Sequence, residues 1–180
     1  MLSQRPHVDF HTVYEGELAF VNLVRAFQQC SEVNELREHP ISGIQSVSPT
    51  TNRLVSGPPV PRMKKLDEIP SPYLMGLMDD FFDGVLVPLL ETNRGCPFSC
   101  NFCNAGATYF NNVNKYSMDY LLAEWSYIAP RAADTGITTC VLADNNFGMY
   151  SRDAELCVHL KELQDQFGWP QRIMATTGKN

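Results

Sequence analysis

The sequence predicts an α/β fold built on parallel strands, and three observations carry that prediction. From about Val85 onward, strand-like and helix-like segments alternate as strand, helix, strand, helix, strand. That order implies parallel strands joined by right-handed crossovers. The strand segments are short apolar or β-branched runs, Val85–Thr92 (VLVPLLET) and Ile137–Ala143 (ITTCVLA), with a third beginning at Arg172–Thr176. The segments between them repeat apolar residues at helical spacing. Three parallel strands make part of a (β/α) barrel, which needs about 250 residues when complete. The expectation is therefore that the 180 residues are a fragment, or a protein truncated inside a barrel.

Each element has a local reason. His7–Val13 alternates Val8 and Phe10 with polar neighbours, a short strand, and Glu15-Gly16-Glu17 breaks it. Phe20, Leu23, Val24 and Phe27 then recur at helical spacing and predict a helix over Glu17 to Gln29. This pair reads as the last strand–loop–helix of an α/β unit whose earlier strands are missing. From about Glu38 to Pro72 prolines punctuate the chain, which reads as a linker. Within it, Ile44–Val47 and Arg53–Val55 suit a small hairpin. Leu66, Ile69, Tyr73 and Leu74 are its expected apolar anchors. The divisions are thus 1–37, a linker over 38–84, and 85–180.

In the last part, Pro88 lacks an N–H and weakens the first strand. Ser117 is the expected N-cap of a helix whose face is Met118, Leu121, Leu122, Trp125, Ile128 and Ala129, with Pro130 expected to kink or end it. Gly136 closes the connection. Asp144-Asn145-Asn146-Phe147-Gly148 reads as a loop at the end of the second strand. Ser151 is the expected cap of the next helix, whose stripe is Leu156, Leu160, Leu163 and Phe167, and Gly168 and Pro170 stop it.

Composition narrows the function. Apolar residues make up 44% and charged residues 19%, which excludes a disordered chain or a coiled coil. The net charge of −6 argues against binding a nucleic-acid backbone, which needs clustered Lys and Arg. No apolar run reaches the roughly 18–20 residues of a membrane helix, and the start has no secretory h-region. A cytoplasmic location is the expectation.

Six cysteines are distributed as three singles, Cys30, Cys140 and Cys157, and one group, Cys96, Cys100 and Cys103. A disulfide framework would spread them more evenly. Cys140 and Cys157 read as small buried hydrophobes. The group has the form C-x3-C-x2-C. Thiolates this close converge on one inorganic object and select zinc, Cu(I) or an iron–sulfur cluster. Three sulfurs leave a tetrahedral or cubane site one ligand short, the open position of a catalytic centre. The competing readings are a zinc-stabilised, non-catalytic binding module whose fourth ligand is Cys140, Cys157 or His159, and an inactive truncated product.

The run Glu91-Thr-Asn-Arg-Gly-Cys96-Pro-Phe-Ser-Cys100-Asn-Phe-Cys103, with aromatic Phe102 before the last cysteine, resembles the radical S-adenosylmethionine (SAM) superfamily. It is similar to the subgroup whose barrel follows a cobalamin-binding domain. Val8-Asp-Phe10 with Glu15-Gly16-Glu17 resembles the end of that domain, and Leu66-Asp-Glu-Ile-Pro70 the linker into the barrel. The resemblance implies a partial radical SAM barrel of three strands over 85–180, preceded by the tail of a cobalamin-binding-type α/β domain. It implies that Cys96, Cys100 and Cys103 hold a [4Fe–4S] cluster, whose fourth iron chelates SAM. Reductive cleavage of SAM would give methionine and a 5′-deoxyadenosyl radical. It also implies a flavodoxin- or ferredoxin-type electron donor.

By the same resemblance Phe102 packs near the adenine, and Asp144 and Asn145 are the candidates to face the methionine amino group; Asn104, where the loop continues around the cluster, is a further candidate contact to the ligand. The catalytic residue toward substrate, and the substrate itself, are not implied. Three features depart from the family pattern. The second-strand loop reads Asp-Asn-Asn-Phe-Gly in place of the common Gly-Gly-Glu form. The Asp-x-His-x-x-Gly motif that ligates cobalt is absent, and Tyr14 stands at the first Gly of the usual Gly-Glu-Gly-Glu loop. Cobalamin is therefore expected in a longer protein that carries that domain, not on this chain alone.

Overall fold

The structure is a computed structural model that describes residues 2–30 and 32–177. It divides into two compact units, 1–62 and 63–180. The boundary falls inside the stretch expected as a linker.

The first unit holds β1 (Phe10–Thr12), α1 (Glu17–Gln29), the single-turn α2 (Val33–Leu36), β2 (Ile44–Val47) and β3 (Leu54–Ser56). The order β1-β2-β3 is antiparallel throughout, with Phe10 opposite Ser46 and Ser46 opposite Val55. The hairpin forms, but it recruits β1 as a third strand. Within this chain the partner of β1 comes from the proline-rich stretch behind it. Helix α1 has the expected bounds, but its face differs. Ala19 and Leu23 are buried with Ile44, while Phe20 and Val24 point outward. The helix comes so close to the sheet that a Cβ on Gly43 would lie 2.6 Å from the Ala19 methyl. Only the narrow Ala19 side fits there.

The second unit carries the βαβαβ order. Its elements are β4 (Leu89–Leu90), β5 (Asn93–Arg94), β6 (Asn114–Lys115), α3 (Met118–Asp134), β7 (Thr139–Phe147), α4 (Ser151–Phe167) and β8 (Arg172–Thr177). Strands β4, β7 and β8 form one sheet in that order, parallel throughout, with Leu90 beside Leu142 and Leu142 beside Ala175. Strands β5 and β6 form a separate antiparallel pair. Leu90, Leu142 and Cys140 from the sheet pack with Leu121, Trp125, Ile128, Leu156 and Leu160 from the two helices in one buried cluster. Each such apolar side chain contributes roughly 1.5–3 kcal/mol.

Four expectations need correction here. The first strand is two residues long, not eight, and Val85 is 78% exposed. The Asp83 carboxylate accepts the amides of Val85 and Leu86 at 2.8 and 2.9 Å, which bends that stretch into a turn. Pro130 lies inside α3, which runs on to Asp134 because Ile128, Ala129 and Ala132 bury its face on both sides of the proline. Cys157 is exposed, since the buried face of α4 is Asp153, Leu156, Leu160 and Leu163. Leu74 is exposed, while Leu66 and Tyr73 are core residues.

Capping follows the sequence closely. The Ser117 hydroxyl accepts the Tyr120 amide at 3.1 Å. Gly136 and Gly168 take left-handed angles at the ends of α3 and α4. Helix α4 begins at Ser151 itself, one residue earlier than a Ser151 cap requires, so Tyr150 takes the cap position. Asp153 reaches back and accepts the amides of Gly148 and Tyr150 at 2.9 and 3.0 Å, and the helix dipole favours a carboxylate there. Among the described residues no helix is long and apolar enough to cross a membrane.

Candidate cluster-binding site

The cysteine loop leaves the sheet at the C-terminal end of its parallel strands. After β4, Thr92 and Asn93 lead into β5, and Gly95 turns the chain at φ +120°. A Cβ on Gly95 would lie 2.5 Å from the Asn112 carbonyl oxygen and 2.7 Å from that of Phe110. Glycine is required by close approach as well as by angle. Cys96 then donates its amide to the Phe110 carbonyl at 2.8 Å, so the loop is pinned to the segment that returns after it. Farther on, Gly106 sits against Cys100, whose carbonyl oxygen would be 2.2 Å from a Cβ at that position. Both ends of the loop are held by backbone.

The second strand buttresses this loop. Strand β7 continues through Asp144, Asn145 and Asn146 to Phe147, where a loop was expected, with an irregular register against β8 between Leu142 and Phe147. Its alternation buries Asp144 and Asn146 and exposes Asn145. Asp144 accepts the Thr92 amide at 2.7 Å, the Asn93 side-chain amide at 2.8 Å, and the Thr92 hydroxyl. Burial pushes its carboxyl above the ordinary value, while the Thr92 and Asn93 donors pull it down and Asp153 adds to the rise. Asn145 donates to the Gly95 carbonyl at 3.4 Å, and Asn146 donates to the Cys96 sulfur at 3.1 Å. From α4, Arg152 donates to the carbonyls of Tyr116 and Thr92 at 2.8 and 3.4 Å.

The three thiols are free, with Cys96 buried, Cys100 half-buried and Cys103 exposed. Among the described residues no three His, Cys, Asp or Glu side chains converge as a single metal ion demands. A zinc ion would draw every ligand to about 2.0–2.3 Å of one point. By donor chemistry, the three cysteine sulfurs on this backbone-pinned loop are the residues that would hold an iron–sulfur cluster. Phe102 is 76% exposed and Asn104 is exposed at the start of a single helical turn. Asp144 is turned inward onto Thr92 and Asn93, so it braces the strands. Asn146 was not among the residues expected from the sequence. Continuing the strand period from Asp144 places it on the same inward face, which is the signal that finds it.

No protein-family model matches the chain. The cobalamin-dependent radical SAM methyltransferase TokK of Streptomyces tokunonensis is 32% identical across 98% of the chain. The chain is a homologue of cobalamin-dependent radical SAM methyltransferases. A second relative, the 2-(S-pantetheinyl)-carbapenam-3-carboxylate methyltransferase of Streptantibioticus cattleyicolor, is 31% identical over 99% of the chain. The chain spans about a quarter of the length of these two relatives, 25% and 26%. The solved structure of the cobalamin-dependent SAM radical enzyme OxsB, with aqua-cobalamin and SAM bound, matches 87% of this homologue of TokK and 21% of OxsB, with a TM-score of 0.58 and 20% identity. That likeness is one of fold.

Proposed function

We propose that this chain forms the cluster-binding part of a radical SAM enzyme, and that the protein carrying it is a cobalamin-dependent methyltransferase. Cys96, Cys100 and Cys103 would hold a [4Fe–4S] cluster at which SAM would bind. The cluster, when bound, supplies the electron that cleaves the sulfonium C–S bond of SAM. The sheet β4-β7-β8 is read as the first three strands of a (β/α) barrel. One observation carries the proposal: the C-x3-C-x2-C loop stands at the C-terminal end of parallel strands, braced by the end of the neighbouring strand through Asn145 and Asn146. That end of a parallel sheet is where α/β folds bind ligands.

The protein's own residues position and shield. Gly95 and Gly106 fix the loop backbone, Asp144 locks Thr92 and Asn93 beneath it, and Asn145 and Asn146 set its distance from β7. Phe102, exposed on the loop, would cover the adenine of SAM, and Asn104 stands next to the last cysteine. Cobalamin belongs to a separate domain of the whole protein, since the cobalt-ligating motif is absent here. A flavodoxin- or ferredoxin-type protein is the proposed electron donor, and the cytoplasm the proposed location. Free thiols in all six positions suit such a reducing compartment.

The test is anaerobic reconstitution followed by metal analysis. The proposal expects a brown protein with about four irons and matching sulfide, lost when Cys96, Cys100 or Cys103 is replaced by Ala. One colourless zinc, or iron that survives each replacement, would overturn it.

A further inference from the structure

We propose that Asn146 is a positioning residue for Cys96, and that its hydrogen bond to the Cys96 sulfur raises the reduction potential of the bound cluster. The inference rests on Cys96, Cys100 and Cys103 being the cluster ligands.

The geometry is specific to one of the three sulfurs. The Asn146 Nδ2 lies 3.1 Å from the Cys96 Sγ, and the two residues are only 7% and 8% exposed. Cys100 and Cys103 are more open to water. A hydrogen bond shielded from solvent is stronger than one that water competes for. The amide is also held in place. Asn146 lies in β7, between Asn145, which is tied to Gly95, and Phe147, which is buried. Two residues earlier Asp144 anchors the same strand to Thr92 and Asn93. The donor therefore points at the sulfur before any cluster is present and pays no reorganisation when charge changes.

The electrostatic consequence has a definite sign. One electron passes from a low-potential reductant to the cluster, with no bond to the protein made or broken and the amide hydrogens remaining on Nδ2. The added electron increases negative charge on the cysteine sulfurs. A donor aimed at one sulfur stabilises the reduced state more than the oxidised state, and hydrogen bonds to sulfur are among the determinants of cluster potential. Removing the donor makes reduction harder.

The experiment reconstitutes the full chain anaerobically as wild type, Asn146→Leu, Asn146→Asp and Asn146→Gln. Iron and sulfide are counted, and the midpoint potential is read by redox titration of the reduced cluster's EPR signal. Leu keeps the volume without a donor, Asp puts an anion at the sulfur, and Gln keeps an amide on a longer arm. The expected result is wild-type iron content with a lower midpoint for Leu. At fixed reductant potential the reduced-to-oxidised ratio falls about tenfold, which is about 59 mV for one electron. Asp falls further, and Gln recovers part of the loss. A Leu variant with full iron and an unchanged midpoint overturns the proposal. If Leu does not load, an Asp midpoint equal to or above the wild type overturns it. If wild type loads and every variant fails to, Asn146 serves folding alone and the proposal is again overturned. Wild type without iron instead overturns the ligand assignment on which the inference stands.

Discussion

The carboxylate of Asp144 accepts the backbone amide of Thr92 at 2.7 Å, across 52 residues of sequence, at the point where the cysteine loop leaves the sheet. Both residues are fully buried, and Asn93 joins the same carboxylate through its side chain at 2.8 Å. The loop thus starts from a polar knot inside an otherwise apolar core.

Replacing Asp144 with Ala leaves the Thr92 amide and the Thr92 hydroxyl buried without their acceptor, while the Asn93 side chain keeps only the Thr92 oxygen. Each unsatisfied donor costs about 1–3 kcal/mol, so a loss of about 3 kcal/mol is expected in urea unfolding. Because Thr92 and Asn93 precede the loop, iron retained after reconstitution should fall as well.

Gly95→Ala tests the backbone pinning. A methyl there meets two carbonyl oxygens at 2.5 and 2.7 Å while φ stays at +120°. Strain of this kind costs on the order of 3 kcal/mol. The variant should lose iron binding while the helical signal in circular dichroism is kept, since neither α3 nor α4 depends on that angle.

Glu124 gives a pH dependence with a fixed sign. Burial holds its carboxyl above the ordinary value of 4.5, against the hydroxyl of Ser71, which donates to it at 2.5 Å, and Glu91 adds to the rise. The folded state therefore holds the proton more tightly than the unfolded state does. That stabilisation is fully present below pH 4.5 and is lost as pH rises through the elevated native value. Glu124→Gln keeps an acceptor for Ser71 and removes the titration. Urea midpoints measured upward from pH 4.5 should fall for wild type relative to this variant.

Ser117→Ala removes the oxygen that accepts the Tyr120 amide at the start of α3. The expected cost is about 1 kcal/mol. The Ser117 amide still donates to Asp67 at 2.8 Å, so the chain keeps its entry into the helix, and thermal unfolding should stay cooperative with a lowered Tm.

Cys140 is fully buried in β7, and burial pushes its thiol up to about 12. It stays protonated at any working pH. Iodoacetamide at pH 8, read by mass spectrometry of peptides, should label the exposed Cys103 and Cys157 in the native protein and reach Cys140 only in denaturant.

What could be read from sequence was whatever local chemistry decides. Helix α1 was bounded by its glycine and polar flanks, α3 by Ser117 and Gly136, and α4 by Gly168, because caps and left-handed glycines act within one turn. The βαβαβ order followed from periodicity, and the cysteine loop from its spacing. What failed depended on distant partners. Asp144-Asn145-Asn146 has the composition of a turn, yet it stays in the strand because Thr92, Asn93, Gly95 and Cys96 use its polar groups. The stretch before Leu89 has the composition of a strand, yet Asp83 and Pro88 deny it one. The outward turn of Phe20 and Val24 was set by the close fit of Ala19 over Gly43, which no helical periodicity encodes.

Strand β8 lies at one margin of the three-stranded sheet, and all six of its residues are exposed. Its outer row of amides and carbonyls is a ready template. Expressed by itself, this stretch of protein invites neighbours to zip onto that margin, so turbidity and co-precipitation would rise with concentration. Handling it dilute, or capping the margin with a charged or proline-bearing substitution, is the practical remedy before any iron is added.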